Sequence, residues 1–197
     1  GAGEIVGVVV AGITLAITFG ALVAASMPLI TAFVGVGIGV SAVYALSGVV
    51  DVNTVTPTLA IMLGLAVGID YSLFIVTRYR KYRMDGLEAS AAVSKAIATA
   101  GNAVIFAALT VVIALAGLSI VGIPFLTVMG LAAAGTVAIA ATVAVTLIPA
   151  LLGFGGDKVL SKKQRAQLAA GQTNATSTDS NVAKKYVTAI SKKPLLV

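Results

Sequence analysis

An all-α bundle of five membrane-spanning helices is the fold this sequence predicts, and three observations carry that reading. Hydrophobic residues make up 59% of the 197 positions and charged residues 10%, with a mean hydropathy of +1.08; a soluble domain of this length has too little interior to hide so much apolar surface. Apolar runs recur that reach the about 20 residues needed to cross a ~30 Å hydrocarbon core, and there are five of them. The basic residues gather in two blocks instead of scattering.

The runs cover residues 5–25, 28–49, 58–76, 98–120 and 124–154. No Lys or Arg precedes the first and no cleavage pattern follows it, so it reads as a span and not as a signal peptide. Ser26-Met27-Pro28 offers a short connection that makes the first two spans an antiparallel pair, with Pro28 at the start of the second, where a missing N–H does no harm. The third run carries one charged residue, Asp70, and the fourth carries Asn102, the one amide in the spans. The fifth opens at Pro124 and is long enough to tilt or to extend past the membrane.

Orientation follows from the basic residues. Arg78, Arg80, Lys81, Arg83 and Lys95 lie between the third and fourth spans, and the other eight follow the fifth. With five spans both blocks fall on one side, which the positive-inside rule makes cytoplasmic. The N-terminus then faces outward, together with Glu4 and Asp51. The net charge of +6 is thereby accounted for by topology and by anionic headgroups, and no nucleic-acid partner is implied.

Residues 1–156 therefore read as the five-helix bundle and 157–197 as a cytoplasmic linker. The linker has a basic stretch, then a polar one, then Val182, Tyr186 and Ile190 at the spacing of a short amphipathic helix on the membrane surface. Lys192-Lys193-Pro194-Leu195 resembles the basic foot of a further, truncated membrane helix. An outward N-terminus with no targeting signal before it likewise leads us to expect a piece of a longer membrane protein.

Composition narrows the chemistry. The absence of Cys and His removes disulfides, thiol catalysis, an imidazole base and the usual zinc ligand sets. No base, metal cluster or phosphate-cradling loop surrounds the Ser and Asp residues, so neither an enzyme nor a cofactor is expected. One carboxylate without a ring of polar positions makes a poor pore.

Asp70 stands out against this background. It lies roughly 18 Å along the helix from the outer end of its span and roughly 12 Å from the Arg78 block, at 1.5 Å per residue, too deep for so short a side chain to snorkel. A charge near the bilayer centre costs roughly 2.5–3.5 kcal/mol on insertion scales and is usually retained by function. Gly64 and Gly68 have the four-residue spacing that lets another helix approach closely. Tyr71 lies on nearly the same face, and a helix packed on the glycines is expected to draw Asp70 and Tyr71 toward the bundle interior. Hydrocarbon favours the neutral acid, so the position suits a group that binds and releases a proton. The competing reading is an Asp held by static hydrogen bonds. Asn102 is the candidate polar partner; intramembrane Thr and Ser usually bond to their own helix backbone.

The run Gly64-Leu65-Ala66-Val67-Gly68-Ile69-Asp70-Tyr71, continuing to Arg78 and Arg80, resembles the Gly-Ile-Asp-Tyr signature of the fourth membrane helix in the MMPL (mycobacterial membrane protein large) family of the RND superfamily. Phe19-Gly20-Ala21-Leu22, Ala100-Gly101-Asn102-Ala103 and Leu147-Ile148-Pro149-Ala150 support the match in order and spacing, from about residue 4 to residue 154. The resemblance implies helices two to six of the N-terminal half of a twelve-helix exporter of the plasma (inner) membrane. Large external domains and a related second half would complete it. It also implies proton-coupled antiport of lipids or other hydrophobic compounds, with Asp70 and Tyr71 pairing with a like pair on the tenth helix. Bundles of this shape are similar to sterol-sensing modules, so a lipid-binding regulatory module without proton coupling is the alternative.

Overall fold

A computed structural model of the chain describes residues 2–19, 22–48 and 52–171. They form seven α-helices: α1 (Ala2–Phe19), α2 (Leu22–Leu46), α3 (Val55–Met84), α4 (Ala89–Ala96), α5 (Asn102–Ala116), α6 (Pro124–Gly155) and α7 (Lys162–Ala169). A π-helical segment, Ile97–Gly101, joins α4 to α5, and a 3₁₀ turn, Gly117–Val121, follows α5. The expected amphipathic helix around Val182, Tyr186 and Ile190, the basic foot at Lys192-Lys193 and the residue Asp51 lie outside the described residues.

Four stretches are long and apolar enough to cross a membrane, Val23–Leu46, Val55–Met84, Ala89–Val121 and Pro124–Val159, and a shorter apolar stretch, Ile5–Thr14, lies in α1. The chain is an all-α, multi-pass membrane bundle. α3 is 30 residues long, about 45 Å at 1.5 Å per residue, more than a hydrocarbon core requires. It continues through the Arg78–Arg83 block, so the basic residues ride on the last turns of a helix and not on a loop.

The second span starts earlier than expected. α2 begins at Leu22 and Pro28 is buried inside it. The missing N–H removes the bond to the Ala24 carbonyl, a loss that packed membrane helices tolerate. Pro124, by contrast, does open its helix, preceded by Ile123 in extended conformation and by Gly122 at φ 75, a left-handed setting that glycine adopts without strain. α1 and α2 run antiparallel, since Gly12 lies against Leu29 while Val8 and Val9 lie with Phe33 and Val36.

The core is a triangle of α2, α3 and α6, each packed on the other two. Their buried positions recur at helical spacing: Ala24, Met27, Thr31, Ala32 and Val36 on α2, Ala60, Gly64 and Gly68 on α3, Val137, Ala140 and Ala144 on α6. α1 packs on α2 and α5 on α6. Among the described side chains of α1 none is buried. Small residues bring the triangle together, as expected where van der Waals contact, and not water exclusion, drives helix association.

Beyond α6 the chain reverses at Gly156, φ 46, and enters a short 3₁₀ turn. α7 follows with a Ser161–Gln164 capping box, in which Ser161 Oγ accepts from the Gln164 N–H and Gln164 Oε1 from the Ser161 N–H. Val159 and Leu160 are fully buried. The start of the expected linker is therefore docked on the bundle.

Candidate functional site

The site is built on α3, whose two sides differ sharply. Thr56, Ala60, Gly64, Gly68 and Ser72 form a buried stripe at four-residue intervals. A Cβ on Gly68 would lie 3.0 Å from the Ala32 Cα, and one on Gly64 would lie 2.9 Å from side-chain carbons of both Thr136 and Val36. The glycines therefore set the distance of α3 from α2 and α6. Thr136 is the wedge between the three helices, since a Cβ on Gly39 of α2 would meet its methyl at 2.7 Å.

Asp70 does not share this face. Two residues at 100° each place it about 200° from Gly68, on an exposed stripe with Met62, Ala66, Phe74 and Thr77. The expectation that packing on the glycines draws Asp70 inward is thus corrected: the seam buries the far side of the helix and turns the carboxylate outward. Among the described residues, none makes a hydrogen bond or ion pair with it. Tyr71, about 100° from Asp70, is partly buried against the core cluster. The two neighbours consequently look in different directions, one out of the bundle and one along its edge.

Asn102 is exposed, and its Nδ2 donates to the Ala98 carbonyl of its own helix at 2.9 Å. The structure does not bring Asn102 into hydrogen-bond contact with Asp70. Thr110 and Ser119 likewise donate to their own backbone, at the Phe106 and Ala116 carbonyls. Thr99 differs: it lies in the π-helical segment, donates to the Lys95 carbonyl at 2.8 Å, and its hydroxyl also meets that of Tyr82 on α3 at 3.2 Å. Such π turns occur often at functional positions. Nothing in the local sequence marks this one beyond the Gly101-Asn102 pair at its end.

An apolar cavity of about 490 Å³ opens between α1, α2 and α3, lined by Val9, Phe33, Val40, Ile61 and Leu65 among others. Its walls are aliphatic and aromatic. A second groove, of about 340 Å³, runs between α5 and α6 past Leu109, Val112, Ala141 and Val145.

Comparison with known proteins agrees with the geometry. The family model described as MMPL family matches residues 1–196. "Membrane protein YdfJ" of Bacillus subtilis is 41% identical over 197 residues, all of this chain and 26% of that protein. "Putative membrane protein SCO6666" of Streptomyces coelicolor is 35% identical over 164 residues, 83% of this chain and 23% of that protein. "Mycolic acid-containing lipids exporter MmpL11" of Mycolicibacterium smegmatis is 36% identical over 144 residues, 73% of this chain and 15% of that protein. The chain thus spans about a quarter or less of the length of these relatives.

Proposed function

The chain belongs to the MMPL family, and from that premise we propose that it forms part of the membrane domain of a proton-driven exporter of lipids or other hydrophobic compounds. Asp70 carries the proton, and Tyr71 serves as a hydrogen-bond partner in the relay, paired with the like Asp-Tyr of the second half. The observation behind this reading is the outward setting of Asp70. A carboxylate in mid-span, turned away from its own bundle and unpaired among the described residues, is costly against lipid and calls for a polar partner from outside these helices. A second half of the same transporter, with its own Asp-Tyr pair, supplies one.

In the cycle, protonation removes the charge and weakens the bond to the partner's tyrosine, which lets the two halves shift. Deprotonation toward the basic end restores it. That end is the cytoplasmic one in this reading, the membrane is the plasma membrane, and residues 157–197 lie on the cytoplasmic side. Substrate moves through external domains driven by this shift.

Asp70→Asn in the full-length protein tests it. Export is expected to fall to background while membrane insertion stays normal; normal export would sink the proposal. The apolar cavity between α1, α2 and α3 favours a second reading, a lipid-binding module without energy coupling. Saturable lipid binding at that cavity together with full tolerance of Asp70→Asn is its signature.

A further inference from the structure

The basic end of α3 is fastened in a way its membrane part is not. Through the span the buried stripe is made of small side chains, Ala60, Gly64, Gly68 and Ser72. Below it the side chains become large: Ile75, Val76 and Tyr79 are each completely buried. Tyr79 donates its hydroxyl to the Gly156 carbonyl at 3.2 Å. Arg80 donates from Nη2 to Gln164 Oε1 at 2.6 Å, the same side chain that closes the capping box of α7. Arg83 donates to Asp157 Oδ1 from Nε at 3.0 Å and also from Nη2, and its Nη1 donates to the Leu87 carbonyl. Arg165 in turn donates from Nε to the Leu160 carbonyl, holding the docked segment in shape.

Three side chains of one helix end thus bind a single stretch, residues 156–164, that follows α6. Their spacing of one and three residues puts Tyr79 and Arg83 one turn apart on the same face. Asp70 lies 13 residues before Arg83 in the sequence, about 220° around the helix, close to the opposite side.

We propose that the Tyr79–Arg80–Arg83 interlock with residues 156–164 is the positioning element that fixes the rotation of α3 about its own axis and so aims Asp70 out of the bundle. The small-residue seam sets how close α3 lies to its neighbours. Side-chain hydrogen bonds at the basic end are more exacting, because a guanidinium tip sits far from the axis. A rotation of about 20° carries a tip at roughly 8 Å radius through about 3 Å, which is enough to break a hydrogen bond. Charge-assisted bonds at Arg83 are the strongest of the set. That orientation matters for export rests on the relay reading of Asp70; the orientation itself does not.

A spin label at Met62→Cys, on the same exposed stripe as Asp70, reads the rotation directly in a cysteine-free background of the full-length protein. The label's mobility and its access to oxygen and to a water-soluble relaxant are expected to shift in Arg83→Gln and in Asp157→Asn. They are expected to return toward the parent values in the exchanged pair Arg83→Asp with Asp157→Arg. Tyr79→Phe, which removes one hydroxyl and leaves the packing, serves if the charge variants fail to insert, and is expected to give a smaller shift in the same direction. Export should fall by roughly tenfold in Arg83→Gln, the effect of losing one charge-assisted bond's worth of preference for a setting, and recover in the exchanged pair. An unchanged label in the inserted charge variants, or in Tyr79→Phe where those variants fail to insert, overturns the proposal. A shifted label upholds it whatever Asp70→Asn does to export, so the failure of the relay reading remains separately visible.

Discussion

The two faces of α3 pose opposite problems. On the seam face the glycines are answered within this chain: glycine meets alanine backbone at Ala32, and Thr136 fills the space that Gly39 and Gly64 leave, while the buried hydroxyls of Thr56 and Ser72 have no hydrogen-bond partner among the described residues. On the outward face none of the described residues binds Asp70. One helix therefore carries a closed contact, which makes the bundle, and an open one, which the proposed relay would use. The difference teaches where substitutions should act: changes on the seam should register as stability, and changes on the outward stripe as export.

Asp70→Asn should produce the largest effect and the cleanest separation. Because the carboxylate makes no bond within the described bundle, the amide should leave the packing of α2, α3 and α6 untouched while export is lost. Infrared difference spectra that assign a carboxyl stretch to Asp70, absent in the variant, would tie the loss to this one group. Loss of the folded bundle in Asp70→Asn would break the comparison, since it would mean that the outward face also holds the helices together.

Next in size is Gly68→Val, on the seam. A Cβ there already meets the Ala32 Cα at 3.0 Å, and the obstacle is backbone, which cannot turn aside. Overpacking of this kind costs about 1–3 kcal/mol and sometimes more, visible as a lowered thermal midpoint of the purified protein. Gly37→Ala on α2 is the matched control. Nothing lies within 4 Å of a Cβ built at Gly37, so this change should be neutral or stabilise by up to about 1 kcal/mol through helix preference. If both glycines behave alike, the seam does not set the helix distance.

How much of this the sequence discloses depends on whether the cause is local. Apolar composition, the length of the last four spans and the helix start at Pro124 are local, and the structure agrees with them. The first run, 5–25, is instead divided between α1 and the start of α2, and the apolar stretch described in α1, Ile5–Thr14, is shorter than a span. The start of α2 at Leu22 instead of Pro28 is less legible, because a proline permits a helix start without requiring one when its neighbours are packed. Gly64 and Gly68 reveal a packing face, but which side of it Asp70 occupies follows from counting the full 200° between residues 68 and 70. Their nearness in the chain misleads, since a carboxylate two residues past a seam glycine lies almost behind it. The partners themselves are beyond local pattern. Arg83 and Asp157 are 74 residues apart, and only the coming together of the ends of α3 and α6 makes them a pair. Thr136 is one of many threonines in the spans, and its place between three helices follows from tertiary packing alone.

Asn102 offers the smallest expected effect and the finest test of the two-face contrast. An amide in a membrane helix invites a role in the relay, and it stands beside a π-helical turn that could redirect it. Its Nδ2, however, already donates to the Ala98 carbonyl, one turn back on its own helix. Such a bond costs no tertiary contact when removed, because the freed carbonyl keeps its place in the helix. Asn102→Ala should then change stability by less than about 0.5 kcal/mol, the range of substitutions away from packed or paired positions, and leave export within twofold, an equilibrium difference of about 0.4 kcal/mol. Parallel measurements of thermal midpoint and export on the full-length variant check both. A tenfold fall in export with an unchanged midpoint would mean that the amide leaves Ala98 during the working cycle. The open contact would then include α5 as well as the outward stripe of α3.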